Sequence, residues 1–339
     1  MRLGFIGDIL RWALDLIYSL VGNYGWAVLI FTLLIRLVLM PLDIKSRKSM
    51  KAMQNVQPKI DELNKKYAND KDKLNQKMAD LYKKEKINPL SSCLPMLLTL
   101  PVLYAMFAAM RMVASEQLVA QVFDILQGNT PKMESWLWIK NVWMPDSPFA
   151  AMWPDLNSLR TVTDTAIWQN AFAALGDNVA KLPEGLALTM ESFTRDNLQA
   201  TIQTIFNTLE TMPAYVDATA VLPGWHFNLW ITTVDIMKHY NGFYILPILS
   251  AVTQFLMSVL QPAQPATGDA NADQQNKGTG TFMKWFFPLF SLWLCSGYTA
   301  MFAIYWVASN IIAAIQNVGI NWYLDRKDKK ETSVEGTVK

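Results

Sequence analysis

Histidine and cysteine are nearly absent from this chain, with two of each in 339 residues. Cys93 and Cys295 each lie inside an apolar block, where small packing residues are expected and a disulfide between them is not. His226 and His239 are not spaced as a metal pair, and no Walker loop, G-x-S-x-G elbow or zinc signature occurs. Charge is short as well, at 17% of residues against about 25% in soluble domains. These absences argue against an enzyme, against a bound metal or other cofactor, and against a soluble fold.

What is present is apolar sequence in blocks: 52% hydrophobic residues and 13 tryptophans. Five segments can cross a bilayer, at 23–42, 90–112, 243–261, 282–296 and 298–322, with only Ser296 and Gly297 as polar spacer between the last two. Residues 1–22 differ. Phe5, Ile6, Ile9, Leu10, Ala13, Leu16, Ile17 and Leu20 recur at helical spacing, with Asp8, Arg11 and Asp15 on the other side. That pattern predicts an amphipathic helix on the membrane surface. The three charges interrupt any signal-peptide core, and no A-x-A site follows.

Loop charge sets orientation. Segment 43–89 carries thirteen Lys/Arg against seven acids, whereas 113–241 carries six against thirteen. The tail 323–339 opens with Arg326, Lys327, Lys329 and Lys330. The positive-inside rule therefore places 43–89 and the tail in the cytoplasm and the N-terminus outside. Within 43–89, Met53, Val56, Ile60 and Leu63 form one apolar stripe and Leu74, Met78, Leu81 and Tyr82 a second, separated by a polar break at Asn69 and Asp70. The stripes predict an antiparallel helical hairpin. Region 113–241 contains a tryptophan cluster, Ser135–Phe149, of the kind found in interfacial belts, and continues as an acidic, mostly helical insertion over about 150–240. Leu198, Ile202, Ile205, Phe206 and Leu209 supply its clearest helical periodicity. Segment 262–281 reads as a flexible cytoplasmic loop.

The costliest residue is Arg36, alone among apolar neighbours in YGWAVLIFTLLIRLVLMPL. A charge at that depth costs roughly 2.5–3.5 kcal/mol on insertion scales. Thr32 lies four residues earlier on the same helix face, and the only nearby acid on that face, Asp43, lies two turns away past Pro41. Thr253 and Gln254 in the third span, and Tyr305, Trp306, Ser309 and Asn310 in the fifth, add polar groups. Three helices with polar patches can enclose a wet cavity inside the bilayer. The expectation is an all-α integral membrane protein with five transmembrane helices around a hydrophilic groove, a cytoplasmic helical hairpin and an N-terminal surface helix.

Several motifs point to one family: Val21-Gly22-Asn23-Tyr24-Gly25 leading into the Arg36 span, Met40-Pro41-Leu42 closing it, and Gln57-Pro58-Lys59-Ile60 opening the hairpin. Asn88-Pro89-Leu90 with Cys93, Pro95 and Pro101 follows, then Ile245-Leu246-Pro247-Ile248-Leu249, then Tyr305-Trp306 with Ser309-Asn310. In these motifs the chain resembles the YidC/Oxa membrane protein insertases, outside about 150–240 and the extreme tail. It departs from their pattern at Thr99, where Gln is common, and in the Cys295-Ser296-Gly297-Tyr298 turn. The resemblance implies an insertase and chaperone that passes newly made membrane proteins through a hydrophilic groove without nucleotide hydrolysis. It implies substrate contacts at Arg36, Thr32, Gln254 and Trp306, and ribosome contacts at Arg326, Lys327, Lys329 and Lys330. Leu97, Phe107, Phe255 and Leu256 form the apolar face along which a substrate helix would slide into lipid. Nascent membrane proteins, the ribosome and the lipid bilayer are the implied partners, with the Sec translocon and the signal recognition particle pathway beside them and the chain acting as a monomer. The implied location is the bacterial cell membrane, multi-pass. The rival reading is a small anion transporter or channel using Arg36 as its site. It would favour an internal repeat, and the sequence has none.

Overall fold

The first apolar block becomes a helix that does not stop where the block stops. In a computed structural model describing residues 4–85, 90–228, 233–260 and 270–337, α1 spans Gly4–Val21 and α2 runs unbroken from Tyr24 to Lys66. Side chains at 4, 90–99, 226–228, 233, 270–281 and 328–337 lie outside this description. Pro41 and Pro58 both fall inside α2. The other elements are α3 (Lys71–Lys84), α4 (Leu90–Leu126), α5 (Leu156–Arg160), α6 (Thr165–Ala174), α7 (Leu198–Leu209) and α8 (Pro213–Ala218). They continue with strands β1 (Val221–Asn228) and β2 (Thr233–Met237), then α9 (Ile245–Leu260), α10 (Ala270–Gly297) and α11 (Ala300–Thr337).

The chain is an all-α integral membrane protein with one small β ribbon. Among the described residues three helices are long and apolar enough to cross a membrane: Tyr24–Lys66, Leu100–Leu126 and Ala300–Lys327. The expected count of five is thus met by three. The third expected span appears as α9, of which the 16 residues Ile245–Leu260 are described. The fourth lies in α10, whose apolar stretch starts only near Phe282. The expected loop at 262–281 is corrected in part. Residues 270–281 belong to α10, and 261–269 lie outside the described residues.

The chain forms two compact units. In the unit built from 1–31, 104–249 and 292–306, α1 buries Leu10, Leu14 and Ile17 and exposes Phe5, Trp12 and Leu20. Arg11, expected on a solvated face, instead donates both guanidinium ends to Glu116 on α4, at 2.8 and 2.6 Å. The last turns of α4 pass well beyond the predicted span end and form the floor of the insertion's core. Val119, Val122, Phe123 and Leu126 pack with Trp168, Phe193, Ile202, Ile205, Leu209 and Tyr215. The insertion is helical only to Ala218. Residues 221–237 form an antiparallel ribbon, pairing Val221 with Met237 and Phe227 with Val234, because Pro223 and Gly224 break helix while β-branched and aromatic residues favour pairing.

The tryptophan cluster also differs from a belt. Trp143 is fully buried beside Tyr24, and Trp136 is nearly so. Segment 134–147 satisfies the orphan N–H groups that open three helices. Glu134 accepts from the Tyr24 amide at the start of α2, and Asp146 accepts from Leu246 N on α9 at 2.7 Å. The carbonyls of Met144 and Val142 accept from Ala300 N and Met301 N on α11, both at 2.9 Å. Burial raises the Glu134 carboxyl above its ordinary range. Gly25 is needed for close approach, since a Cβ there would lie 2.3 Å from the Trp136 ring.

In the other unit, built from 32–103, 250–291 and 307–339, the two expected apolar stripes meet. Met53, Val56 and Ile60 of α2 bury against Leu74 and Met78 of α3, with Leu63, Tyr67, Leu81 and Tyr82 around them. Asp70 caps α3 by accepting from Lys73 N at 3.1 Å, and Lys59 donates to Glu85 at 2.6 Å across the hairpin. The Lys59 ammonium holds the Glu85 carboxyl below its ordinary value. This tie therefore contributes above the usual carboxylate range and is lost as pH falls through the lowered value. Ile60 is fully buried, so Ile60→Ala should loosen the hairpin by about 2–5 kcal/mol. Limited proteolysis should then cut near residues 66–71 much faster, while membrane integration stays intact.

Candidate functional site

Arg36 sits half-buried on α2 and donates from Nη2 to Ser309 Oγ on α11 at 2.6 Å. Gln316, two turns along α11, donates to the Arg36 carbonyl at 3.1 Å. From the next position after Ser309, Asn310 donates to Gln254 Oε1 at 3.1 Å and reaches Thr253 Oγ1 at 3.3 Å, both on α9. Thr32 is buried one turn before Arg36. Polar side chains from α2, α9 and α11 thus converge within one unit.

The seam continues beyond Arg36. Arg47 donates to Asn317 and, at 3.3 Å, to Asn321. Lys51 pairs with Asp325 at 2.6 Å. Arg36, Arg47 and Lys51 recur at intervals of eleven and four residues, which on a 3.6-residue helix keeps them on one face. Ser309, Asn317, Asn321 and Asp325 answer them from α11. Asp43 lies within electrostatic reach of both arginines. Among the described residues no carboxylate lies in ion-pair contact with Arg36 or Arg47. A guanidinium has five N–H donors, and Ser309 is the side-chain acceptor that meets Arg36. One charge-assisted hydrogen bond contributes about 1.5–3 kcal/mol, less than or comparable with the insertion cost of roughly 2.5–3.5 kcal/mol. Local protein contacts alone leave Arg36 near break-even at best.

The sequence-derived residues divide between the two units. Thr32, Arg36 and Gln254 belong to the same unit, whereas Trp306 falls in the other, with its ring 5.6 Å from Phe302 and its buried Nε1 without an acceptor among the described residues. Of the apolar sliding face, Phe255 and Leu256 are exposed on α9, with Phe255 5.3 Å from the Trp285 ring. Phe107 belongs to an aromatic cluster with Tyr298 and Phe302 in the other unit. The Leu97 side chain lies outside the described residues, as do those of Lys329 and Lys330. Arg326 lies over the Trp322 ring at 4.0 Å, and Lys327 follows it on α11. Sequence reasoning missed Gln316, Asn317 and Arg47. Their signal was a polar repeat along α11 at 309, 316–317, 321 and 325, facing the basic repeat of α2. Among the described residues no group of three His, Cys, Asp or Glu could hold a metal ion.

The class these features define is a multi-pass membrane protein with a polar, cationic seam between apolar helices. The profile of the family described as 60Kd inner membrane protein matches residues 16–195 and 196–328, nearly the whole chain. The chain belongs to this family, that of the YidC/Oxa membrane protein insertases. The membrane protein insertase YidC of Ectopseudomonas mendocina is 25% identical over 325 residues, covering 96% of this chain and 35% of that protein. The protein of the same name from Pseudomonas fluorescens is 26% identical over 330 residues, 97% of this chain and 36% of its own length. The one from Thioalkalivibrio sulfidiphilus is 49% identical over a shorter stretch of 105 residues, 31% of this chain and 19% of that protein. The chain spans little more than a third of the length of the relatives it matches end to end.

Proposed function

We propose that this chain is a membrane protein insertase and chaperone, which receives newly made membrane proteins and releases them into lipid through a hydrophilic groove. The observation that carries the reading is the Arg36 guanidinium, which is held by a serine hydroxyl and has no acid in contact among the described residues. Such a charge is suited to a counter-charge that arrives with cargo. An acidic, short N-terminal segment of a substrate is drawn toward Arg36, where reduced dielectric strengthens the attraction. A wet groove shortens the apolar distance that polar backbone must cross. The substrate's own apolar helix then partitions into lipid past Phe255 and Leu256, which drives release without nucleotide. Membrane potential assists acidic segments moving outward.

In this reading five spans, counting α9 and the apolar part of α10, surround the groove. Thr32, Gln254 and Trp306 join Arg36 as substrate contacts, and Leu97 and Phe107 extend the sliding face. The N-terminus faces outward, hairpin 43–89 and the tail face the cytoplasm, and the membrane is the bacterial plasma membrane. The chain works as a monomer, alongside the Sec translocon and the signal recognition particle pathway. Arg326, Lys327, Lys329 and Lys330 contact the ribosome, whose RNA attracts a cationic helix end. Removing 326–339 should therefore weaken ribosome co-sedimentation at least severalfold and leave the fold intact. Unchanged co-sedimentation would contradict the tail's role.

The test of the function is depletion and rescue. In cells deprived of their own insertase, expression of this chain should restore growth and membrane insertion of a small, Sec-independent substrate. Failure to restore insertion by a stably expressed, membrane-integrated chain would refute the reading. An anion flux through vesicles bearing the chain, without insertion, would favour a transporter instead.

A further inference from the structure

Arg47 lies eleven residues beyond Arg36 on α2, about 16 Å along the helix axis at 1.5 Å per residue and on nearly the same face. Its guanidinium is half-buried and oriented by two neutral amides, Asn317 and Asn321; Asp43, one turn earlier on α2, is within electrostatic reach but not in ion-pair contact among the described residues. Beside it opens a recess of about 210 Å³ lined by Arg47, Met50, Lys51, Gln54, Asn321 and Asp325. That is smaller than sites for whole small molecules, which start at roughly 300 Å³, and is suited to a single side chain. Lys51, on the rim, is already matched by Asp325 at 2.6 Å. The recess therefore offers at its wall one cation with no carboxylate in ion-pair contact among the described residues, held in place by amides.

We infer that Arg47 is a second carboxylate-binding station, which takes an acidic side chain of the substrate at the mouth of the seam before that side chain reaches Arg36. The inference rests on the proposed insertase reading. Two features favour a substrate carboxylate over a lipid phosphate. The recess holds a side chain rather than a headgroup. A row of polar side chains on α11, Asn321, Asn317, Gln316 and Ser309, also connects its wall to Arg36. A carboxylate and a guanidinium pair through two parallel N–H···O bonds, so Arg47 can accept one such group while its other donors stay on the amides.

The test compares insertion rates for two versions of one substrate, with an acidic or a neutral N-terminal tail, into vesicles carrying the full chain. The measured quantity is the acidic-to-neutral rate ratio at subsaturating substrate. Arg47→Gln should lower that ratio about tenfold, the scale of one charge-assisted hydrogen bond, and Arg47→Lys should restore most of it. Asn317→Ala combined with Asn321→Ala keeps the charge but frees the guanidinium to move, and should lower the ratio less than Arg47→Gln does. If that double variant lowers the ratio as Arg47→Gln does, Arg47 merely fastens α2 to α11 and the inference fails. It also fails if the Arg47→Gln loss is equal for both tails and appears only in phosphatidylglycerol vesicles, because the ligand is then a lipid headgroup. Arg36→Ala run in parallel separates the two levels. A ratio that falls with Arg36→Ala but not with Arg47→Gln overturns only the second station. A ratio that moves with neither overturns the charge-based reading itself.

Discussion

Replacing Arg36 with alanine should reduce insertion of substrates with acidic N-terminal tails by at least about tenfold, while Arg36→Lys retains much of the activity. The magnitude follows from the charge-assisted interactions that would be removed, each worth about 1.5–3 kcal/mol, with about 1.4 kcal/mol corresponding to a factor of ten. Reduced dielectric in the groove increases the effect. Lysine preserves the charge but not the planar fork, so part of the gain that depends on paired N–H donors is lost. Ser309 bonds Arg36 at 2.6 Å, and Ser309→Ala should therefore have a smaller effect of the same sign, by freeing the guanidinium to tilt. Stability should move little or even rise on Arg36→Ala, because a costly intramembrane charge is removed. Loss of acidic-tailed insertion without loss of thermal stability is the expected signature. Normal insertion of every substrate by Arg36→Ala, in a reconstituted assay, would end this account of the residue.

The largest loss of stability is expected at Asp146. Its side chain is wholly buried and accepts from Leu246 N at 2.7 Å and from Trp138 Nε1 at 3.2 Å. A carboxylate at the start of α9 also lies where the helix macrodipole favours negative charge. Asp146→Ala would orphan one buried and one part-buried donor at about 1–3 kcal/mol each, for a total of about 2–6 kcal/mol, which reaches the range that marks a structurally critical site. Gly242 guards the same contact. A Cβ there would sit 2.0 Å from Asp146 Oδ1 and 3.1 Å from the Asp146 Cα, so a rotamer change alone cannot clear it. Gly242→Ala should then mimic Asp146→Ala, while Asp146→Asn, which keeps one acceptor oxygen, should lose less. Thermal denaturation in detergent, with hydrogen exchange at the α9 amides, measures both. An Asp146→Ala protein that melts with the parent would refute the capping argument.

Much of this organisation was legible in residue patterns, and the exceptions have physical causes. The stripes Met53–Val56–Ile60 and Leu74–Met78 are buried against one another because each recurs at helical spacing and so forms one apolar face. The period Leu198–Ile202–Ile205–Leu209 became α7 for the same reason. Arg36 and Thr32 could be placed on one face from spacing alone. Helix ends were harder. Apolar content drops at Leu42 and Tyr323, yet α2 and α11 continue as polar helices, since hydropathy reports the solvent and not the backbone. The tryptophans at 136 and 143 read as a belt because composition cannot separate a wet interface from a core. The polar seam was half visible. Single asparagines and glutamines on α11 acquire meaning only once α2 shows which of them it faces.

The central claim, that the seam around Arg36 is a passage for substrate, is tested most directly by site-specific photocrosslinking. A photoreactive residue would replace Gln254, whose side chain meets Asn310 at the seam. A control would replace Val252, which is 57% exposed two positions earlier on the same helix. With ribosome-bound nascent membrane proteins stalled during insertion, position 254 should crosslink to the N-terminal tail of the substrate. That yield should be greater for an acidic than for a neutral tail and should fall when Arg36 is alanine. Position 252 should crosslink to lipid or to the substrate's apolar helix. Crosslinks to the tail that are absent at 254, or that are insensitive to both tail charge and Arg36, would contradict the account.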